Sequence, residues 1–311
     1  MRRSLTAFAV VLATLVSFSL DAAESDRKAV LVTGASTGIG RAITEHLAAR
    51  GHFVYAGARK QADLDSLNKI ANVQAVKLDV TQQADIDAAV ASITKAGRGL
   101  YGLVNNAGIA TLGAVADTSM EEFVLQMDVN VTGPYRMTKS FTPLILESKG
   151  RITTIGSISG ILAPRDLSAY AMSKHAIEAF GDSLALQLEP QGVRVSIIEP
   201  GNFDSDIGKN AVARTGTRNR MADRSRFKKP TEVALAVEQA LFEDKPKRRY
   251  MVVPNQGEAE VTIRKQVEQL VQLNEGHGYT YDRDALVKML DEVLANARPR
   301  TIVPVAEKIS P

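Results

Sequence analysis

Short apolar runs alternate with helix-period stretches from residue 28 to about residue 253. Residues 29–33, 52–58, 73–79, 100–105, 151–156, 193–199 and 250–253 each read as a buried strand, largely apolar and too short for a helix. Between them, 39–50, 62–71, 82–96, 120–147, 168–188 and 231–242 carry apolar residues at three- and four-residue spacing. Gly51 closes the first of these helices, and Gly133-Pro134 marks a joint inside 120–147. Strands alternating with helices predict parallel strands joined by right-handed crossovers. The expected fold class is therefore α/β, a doubly wound, seven-stranded, mostly parallel sheet with helices on both faces. No linker interrupts the pattern, so residues 24–311 read as one domain. Within it, 203–229 has no clear period, and 257–297 reads as an amphipathic helical extension.

Composition narrows the chemistry. With 45% hydrophobic and 23% charged residues the chain is an ordinary globular protein, and a formal charge of +3 gives nucleic-acid binding no support. The absence of cysteine excludes disulfides, thiol catalysis and thiolate metal sites. His46, His52, His175 and His277 have no metal-ligand spacing, so no metal is expected. Residues 1–23 stand apart: Arg2-Arg3 precede an uncharged stretch, then Asp21-Ala-Ala-Glu24, the layout of an export signal. The alternative is an uncleaved membrane anchor, marginal against the ~20 apolar residues of a full span. The expected location is thus the periplasm or a secretory lumen, with membrane anchoring as the rival.

Gly34, Gly38 and Gly40, with Ser36, Thr37 and Ile39 between them, fall at the first strand-to-helix junction. There a chain without side chains approaches a pyrophosphate, and the helix start offers free N–H groups and a positive dipole end. The spacing is G-x-x-x-G-x-G rather than the common G-x-G-x-x-G. Further along, Tyr170 and Lys174 stand four apart, on one helical face. A free phenol has a pKa of about 10, and a neighbouring cation lowers such a value by about 1–3 units. That pairing makes a workable general acid/base for moving a proton to or from a carbonyl oxygen.

Together, Thr33-Gly-Ala-Ser-Thr-Gly-Ile-Gly40, Asn105-Asn-Ala-Gly108, Asn130, Ser157 and Tyr170-Ala-Met-Ser-Lys174 resemble the short-chain dehydrogenase/reductase family, in order and spacing, over residues 29–253. The resemblance implies a Rossmann fold with strand order 3-2-1-4-5-6-7. It implies that Asn106, Ala107 and Gly108 lie beside a nicotinamide cofactor at the end of the fourth strand. By the same resemblance Asp79 and Val80 hold the adenine, and Pro200-Gly201 contacts the nicotinamide amide. Ser205 stands where the family often has threonine. Ser157 would orient the substrate oxygen, and Asn130 would hold a water against Lys174, completing a proton relay. Ser159, two residues on, is a competing serine.

The second strand ends in Gly57-Ala58-Arg59-Lys60, without the acid that would bind a ribose 2′-hydroxyl. Arginine grips a 2′-phosphate with paired hydrogen bonds, so Arg59 favours NADP(H) over NAD(H). The segment 203–229 carries Lys209, Arg214, Arg218, Arg220, Arg224, Arg226, Lys228 and Lys229 and matches the family's substrate lid. Phe203, Ile207 and Ile161-Leu162-Ala163 would make the pocket partly apolar, favouring a steroid-, retinoid- or lipid-like ketone or alcohol. The partners expected are that small molecule, a membrane surface touched by the leading segment or basic lid, and a second or further copies in a homodimer or homotetramer. Two other readings stay open: a non-catalytic NADP-binding redox sensor, and another reaction, epimerisation or dehydration, on the same scaffold.

Overall fold

The computed structural model describes residues 27–216 and 227–297. Seven strands form one sheet: β1 (Ala29–Val32), β2 (Phe53–Ala58), β3 (Val73–Lys77), β4 (Gly102–Asn105), β5 (Arg151–Ile155), β6 (Arg194–Pro200) and β7 (Arg249–Val252). Their order is β3-β2-β1-β4-β5-β6-β7, and every pairing is parallel. The expected doubly wound sheet is thus the observed one, with its direction of winding reversing between β1 and β4. At such a reversal the loops leaving two adjacent strands diverge and open a crevice at the strands' carboxyl ends.

The central strands β1, β2 and β4 are apolar on both faces because both faces are covered. Successive side chains point to opposite sides. Val30 and Val32 of β1 therefore join a core with Ile43, Leu47, Val233, Val237 and Leu241. Ala29 and Leu31 join the opposite core with Ile86, Ile93, Phe141, Ile152 and Leu184. The helices supplying the first are α1 (Gly38–Ala49) and, near the end of the fold, Thr231–Phe242. Those supplying the second are Gln83–Ala96, Gly133–Glu147 and Ser168–Leu188.

Three local outcomes differ from the periodicity. The helix expected over 62–71 is Gln61–Leu67, its end followed by Asn68, whose Oδ1 accepts from Ala75 N at 2.8 Å. The joint expected at Gly133-Pro134 lies earlier, in a π-helical turn, Asp128–Thr132, between Met120–Met127 and Gly133–Glu147. Pro134 sits in the first turn of that last helix, where its missing N–H costs nothing. The stretch without clear period contains a helix, Ile207–Thr215, closed by Gly216 in the left-handed region (φ 68°).

The chain divides into two compact units after Thr262, so the boundary falls inside the helix Gln256–Leu273. In the second unit that helix is followed by Arg283–Asn296, and the turn between them is closed by Asn274, which both donates to Tyr281 O and accepts from Tyr281 N. Among the described residues no helix is long and apolar enough to cross a membrane. Residues 1–23, read above as an export signal or anchor, lie outside the described residues, as do Arg218, Arg220, Arg224 and Arg226.

Candidate active site

A cavity of about 750 Å³ opens along the carboxyl ends of the strands. At the end beside the glycine turn the wall is largely backbone. Gly34 and Gly38 adopt positive φ (64° and 54°), which L side chains rarely do. A Cβ on Gly40 would collide with Gly34 O and Asn106 Nδ2, so this position has no room even for alanine. Thr37, the residue before α1, makes no side-chain capping bond, leaving the N–H groups of the first turn facing this end.

Thr33 and Asn106 hold the turn in place. Thr33 Oγ1 accepts from Asn106 N and Ala107 N, both at 2.9 Å, and donates to Val104 O at 3.3 Å. Asn106 Nδ2 donates to Thr33 O at 2.8 Å and Gly34 O at 3.1 Å. The ends of β1 and β4 are thereby tied across the winding reversal. Gly34, Ser36, Thr37, Gly38, Ile39 and Gly40 all line the cavity, as do Asn106, Ala107 and Gly108. So do Arg59, Asp79, Val80, Pro200, Gly201 and Ser205. Arg59, with a side chain 66% exposed, reaches Asp79 only at 3.8 Å, while Asp79 Oδ1 accepts from Thr81 N and Oγ1 at 2.9 and 2.7 Å.

The other end is built from side chains. Ser157 follows β5, and Tyr170 and Lys174 lie on the first turns of Ser168–Leu188. This helix packs closely on β6 because Gly181 faces Ile197, where any Cβ would collide. All three residues line the cavity. Lys174 is buried, donates to Ile155 O at 2.8 Å, and its ammonium lies 5.6 Å from the centre of the Tyr170 ring. Ser157 Oγ accepts from Ser159 N at 3.0 Å and donates to Pro200 O over a long 3.5 Å. Its own proton is thus weakly held. His175, next to the lysine, is exposed and donates from Nδ1 to Ala171 O at 2.8 Å.

Asn130, in the middle of the π-helical turn, is buried with its side chain fully committed. Oδ1 accepts from Ile109 N at 2.9 Å, while Nδ2 donates to Ile109 O at 3.0 Å and Ser173 Oγ at 3.1 Å. The amide of Asn130 is therefore already engaged by protein partners. Gln126, one turn earlier and fully buried, spans the same loop through Thr111 N at 2.6 Å and Ile109 O at 2.9 Å. Its four-residue offset from Asn130 was the available signal in the sequence.

The helix Ile207–Thr215 lies over this end, with Ala211 and Val212 packed on Leu112, Leu167 and Tyr170. Arg214 ties it down. Its Nε donates to both Glu122 oxygens at 2.7 and 3.0 Å, and Nη2 donates to Ala110 O at 2.9 Å and Thr111 Oγ1 at 3.2 Å. Another carboxylate, Glu258, lies behind the Pro200-Gly201 loop, accepting from Asn202 N at 2.8 Å.

A family model described as short chain dehydrogenase matches residues 28–216. The chain belongs to the short-chain dehydrogenase family. It is similar to the mitochondrial D-beta-hydroxybutyrate dehydrogenase of Mus musculus, 38% identical over 198 residues, or 60% of this chain and 57% of that one. It is also similar to the 3beta-hydroxysteroid dehydrogenase dhs-16 of Caenorhabditis elegans, 36% identical over 61% of this chain and 53% of the relative. The chain thus spans little more than half the length of these curated relatives. A crystal structure of a short-chain dehydrogenase from Streptomyces avermitilis superposes with a TM-score of 0.68 at 28% identity, covering 88% of this chain and 99% of that one.

Proposed function

We propose that this short-chain dehydrogenase interconverts a ketone or aldehyde with an alcohol, using NADP(H) in preference to NAD(H), with Tyr170 as general acid/base. The observation carrying the reading is the meeting of Ser157, Tyr170 and Lys174 in one cavity with the glycine turn Gly34–Gly40. The glycine turn fits a nicotinamide dinucleotide because its missing side chains leave the backbone open to a pyrophosphate. Gly34, Gly38, Gly40 and Asn106 would hold the pyrophosphate side, Asp79 and Val80 the adenine, and Pro200, Gly201 and Ser205 the nicotinamide side. When bound, the cofactor supplies or accepts the hydride.

The residues of the chain handle the proton and the oxygen. In the reducing direction Tyr170 gives its phenolic proton to the carbonyl oxygen; in the oxidising direction it takes the proton from the alcohol. Ser157, whose hydroxyl proton is engaged only at 3.5 Å, turns it to the same oxygen and fixes its position. The Lys174 ammonium stabilises the phenolate electrostatically, and a water on the Asn130 carbonyl resupplies the proton. Arg59 is free enough at the end of β2 to fork onto a 2′-phosphate, since its one ion pair is long.

The substrate reading is a hydrophobic one. Leu112, Leu125, Val129, Leu162, Leu167 and Ile207 line the cavity, and the guanidinium beside them, Arg214, is neutralised by Glu122. A short hydroxy acid would find no unpaired cation in Arg214, so of the two relatives' named substrates a hydroxysteroid-like molecule fits better. The export expectation extends to the mature protein: N-terminal sequencing should find a start near residue 24, and an intact Met1 would refute cleavage. To test the activity, loss of reduced-nicotinamide absorbance is followed with a panel of ketones. NADPH-dependent turnover favouring steroid-like ketones over acetoacetate by about tenfold or more is expected. No carbonyl-dependent NADPH oxidation across the panel would overturn the proposal.

A further inference from the structure

Four charged side chains meet where three elements of the active site join. Glu178 follows Lys174 by one helical turn, and Asp182 follows it by another. Glu199 stands on β6 directly before Pro200-Gly201, and Arg249 begins β7. Arg249 forks onto Asp182 with two bonds of 2.8 Å. Its Nε lies 3.1 Å from Glu178 Oε2 and 3.3 Å from Glu199 Oε1. Arg248 adds a positive charge felt by Asp182.

Asp182 and its guanidinium partner reach solvent, but Glu178 and Glu199, both within 3.3 Å of the same Arg249 Nε, are withdrawn from it and bring two carboxyls to one cation. Glu199 is 3% exposed, and the Oε1 atoms of both Glu178 and Glu199 are buried without a hydrogen-bond partner. Two ionised carboxylates with such atoms are costly side by side, whereas one shared proton removes the repulsion and supplies a donor. The pair also touches the catalytic loop. A Cβ on Gly156 would come within 2.9 Å of Glu178 Oε1, and one on Gly160 within 2.8 Å, so the carboxyl packs against the backbone on both sides of Ser157. Gly156 N donates to Ile198 O at 2.7 Å, one residue from Glu199, and Ser157 Oγ donates to Pro200 O, one residue beyond it.

We propose that Glu178 and Glu199 hold one proton between them and thereby clamp the Ser157 loop and the Pro200-Gly201 loop onto the helix bearing Tyr170 and Lys174. They are positioning residues, and the inference rests on the reading of Ser157 as the group that orients the substrate oxygen. With the proton in place, the carboxylic acid donates to its partner. When the proton leaves to solvent, the two carboxylates repel and the Ser157 loop loosens. Burial, reinforced by Glu178, pushes Glu199 up to about 8, and burial raises Glu178 as well. A carboxyl raised in the folded state contributes stability that is complete below its ordinary value and is lost as pH rises through about 8. The clamp therefore releases on the alkaline side.

The experiment is backbone hydrogen exchange across residues 151–162 without substrate, corrected for the intrinsic pH dependence. It compares wild type, Glu199→Gln and Glu178→Gln. Wild type should lose protection there by about tenfold as pH passes through about 8, whereas Glu199→Gln, whose amide donates without ionising, should stay flat. The thermal midpoint should fall across the same interval in wild type and less in either glutamine variant. Where turnover is measured, the wild-type kcat should decline over that interval and the Glu199→Gln profile should lack the decline. Wild-type protection that does not change with pH would overturn the proposal, as would a Glu199→Gln variant that follows the wild-type curve. Should Glu199→Gln fail to fold, Glu178→Gln and the wild-type curve still decide. Because exchange is read without turnover, a failed catalytic reading would show as absent carbonyl reduction beside an intact exchange transition.

Discussion

The two ends of the cavity are made of different material. At the nucleotide end the wall is backbone, and what matters is which side chains are missing: Gly34 and Gly38 with positive φ, and Gly40 with no space for a Cβ. At the substrate end the wall is side chains held by contacts distant in sequence. Arg214 is pinned by the Glu122 carboxylate, Ser157 lies beside the Pro200 carbonyl, and behind the wall Asn130 is fixed by the Ile109 backbone and the Ser173 hydroxyl. On the proposed function a backbone wall would meet a phosphate that varies little, and it is intolerant of added side chains. A side-chain wall is where specificity can be altered one contact at a time.

Substitutions at the two ends should therefore fail in different ways. Among substitutions that act on binding, the largest effect is expected at Gly40→Ala, where the added Cβ meets the backbone at Gly34 O. Overpacking of this kind costs about 1–3 kcal/mol, and cofactor affinity measured by fluorescence titration should fall by about a hundredfold while the fold survives by circular dichroism. Unchanged affinity would remove the glycine turn from the cofactor site. Arg59→Ala comes next. Losing a charge-assisted contact of about 1.5–3 kcal/mol should weaken NADPH by about ten- to a hundredfold and leave NADH almost untouched. Equal loss for both cofactors would break the NADP preference. The smallest effect is expected at Arg214→Gln, which leaves Glu122 without its cation and loosens Ile207–Thr215. KM for apolar ketones should rise severalfold with little change in cofactor affinity, and a fall in cofactor affinity instead would show that the two ends are not separable.

The difference between the ends also explains what could be read from the sequence. Glycines in a fixed pattern are visible as letters because the constraint is local: Thr33 through Gly40 is one continuous turn. The central strands were legible because burial on both faces leaves β1, β2 and β4 almost wholly apolar. The spacing of Tyr170 and Lys174 was legible because one helical turn fixes it. The tie between Arg214 and Glu122 spans 92 positions, and no periodicity points from one to the other. The Ile207–Thr215 helix was missed for a related reason: polar residues such as Asn210 and Arg214 break up its short apolar pattern, and the residues it packs on, Leu112, Leu167 and Tyr170, are distant in sequence. Likewise the acid pair Glu178 and Glu199 belongs to a helix and a strand whose neighbourhood exists only after folding.

Tyr170→Phe separates proton transfer from cofactor binding when turnover and cofactor affinity are measured on the same preparation. Removing the phenolic oxygen should lower kcat for carbonyl reduction by about 10²–10⁴-fold, the usual reach of a general acid. The dissociation constant for NADPH should change by less than about threefold, because the nucleotide end is backbone. A variant that turns over ketones as fast as wild type would contradict the assignment of Tyr170 as the proton donor.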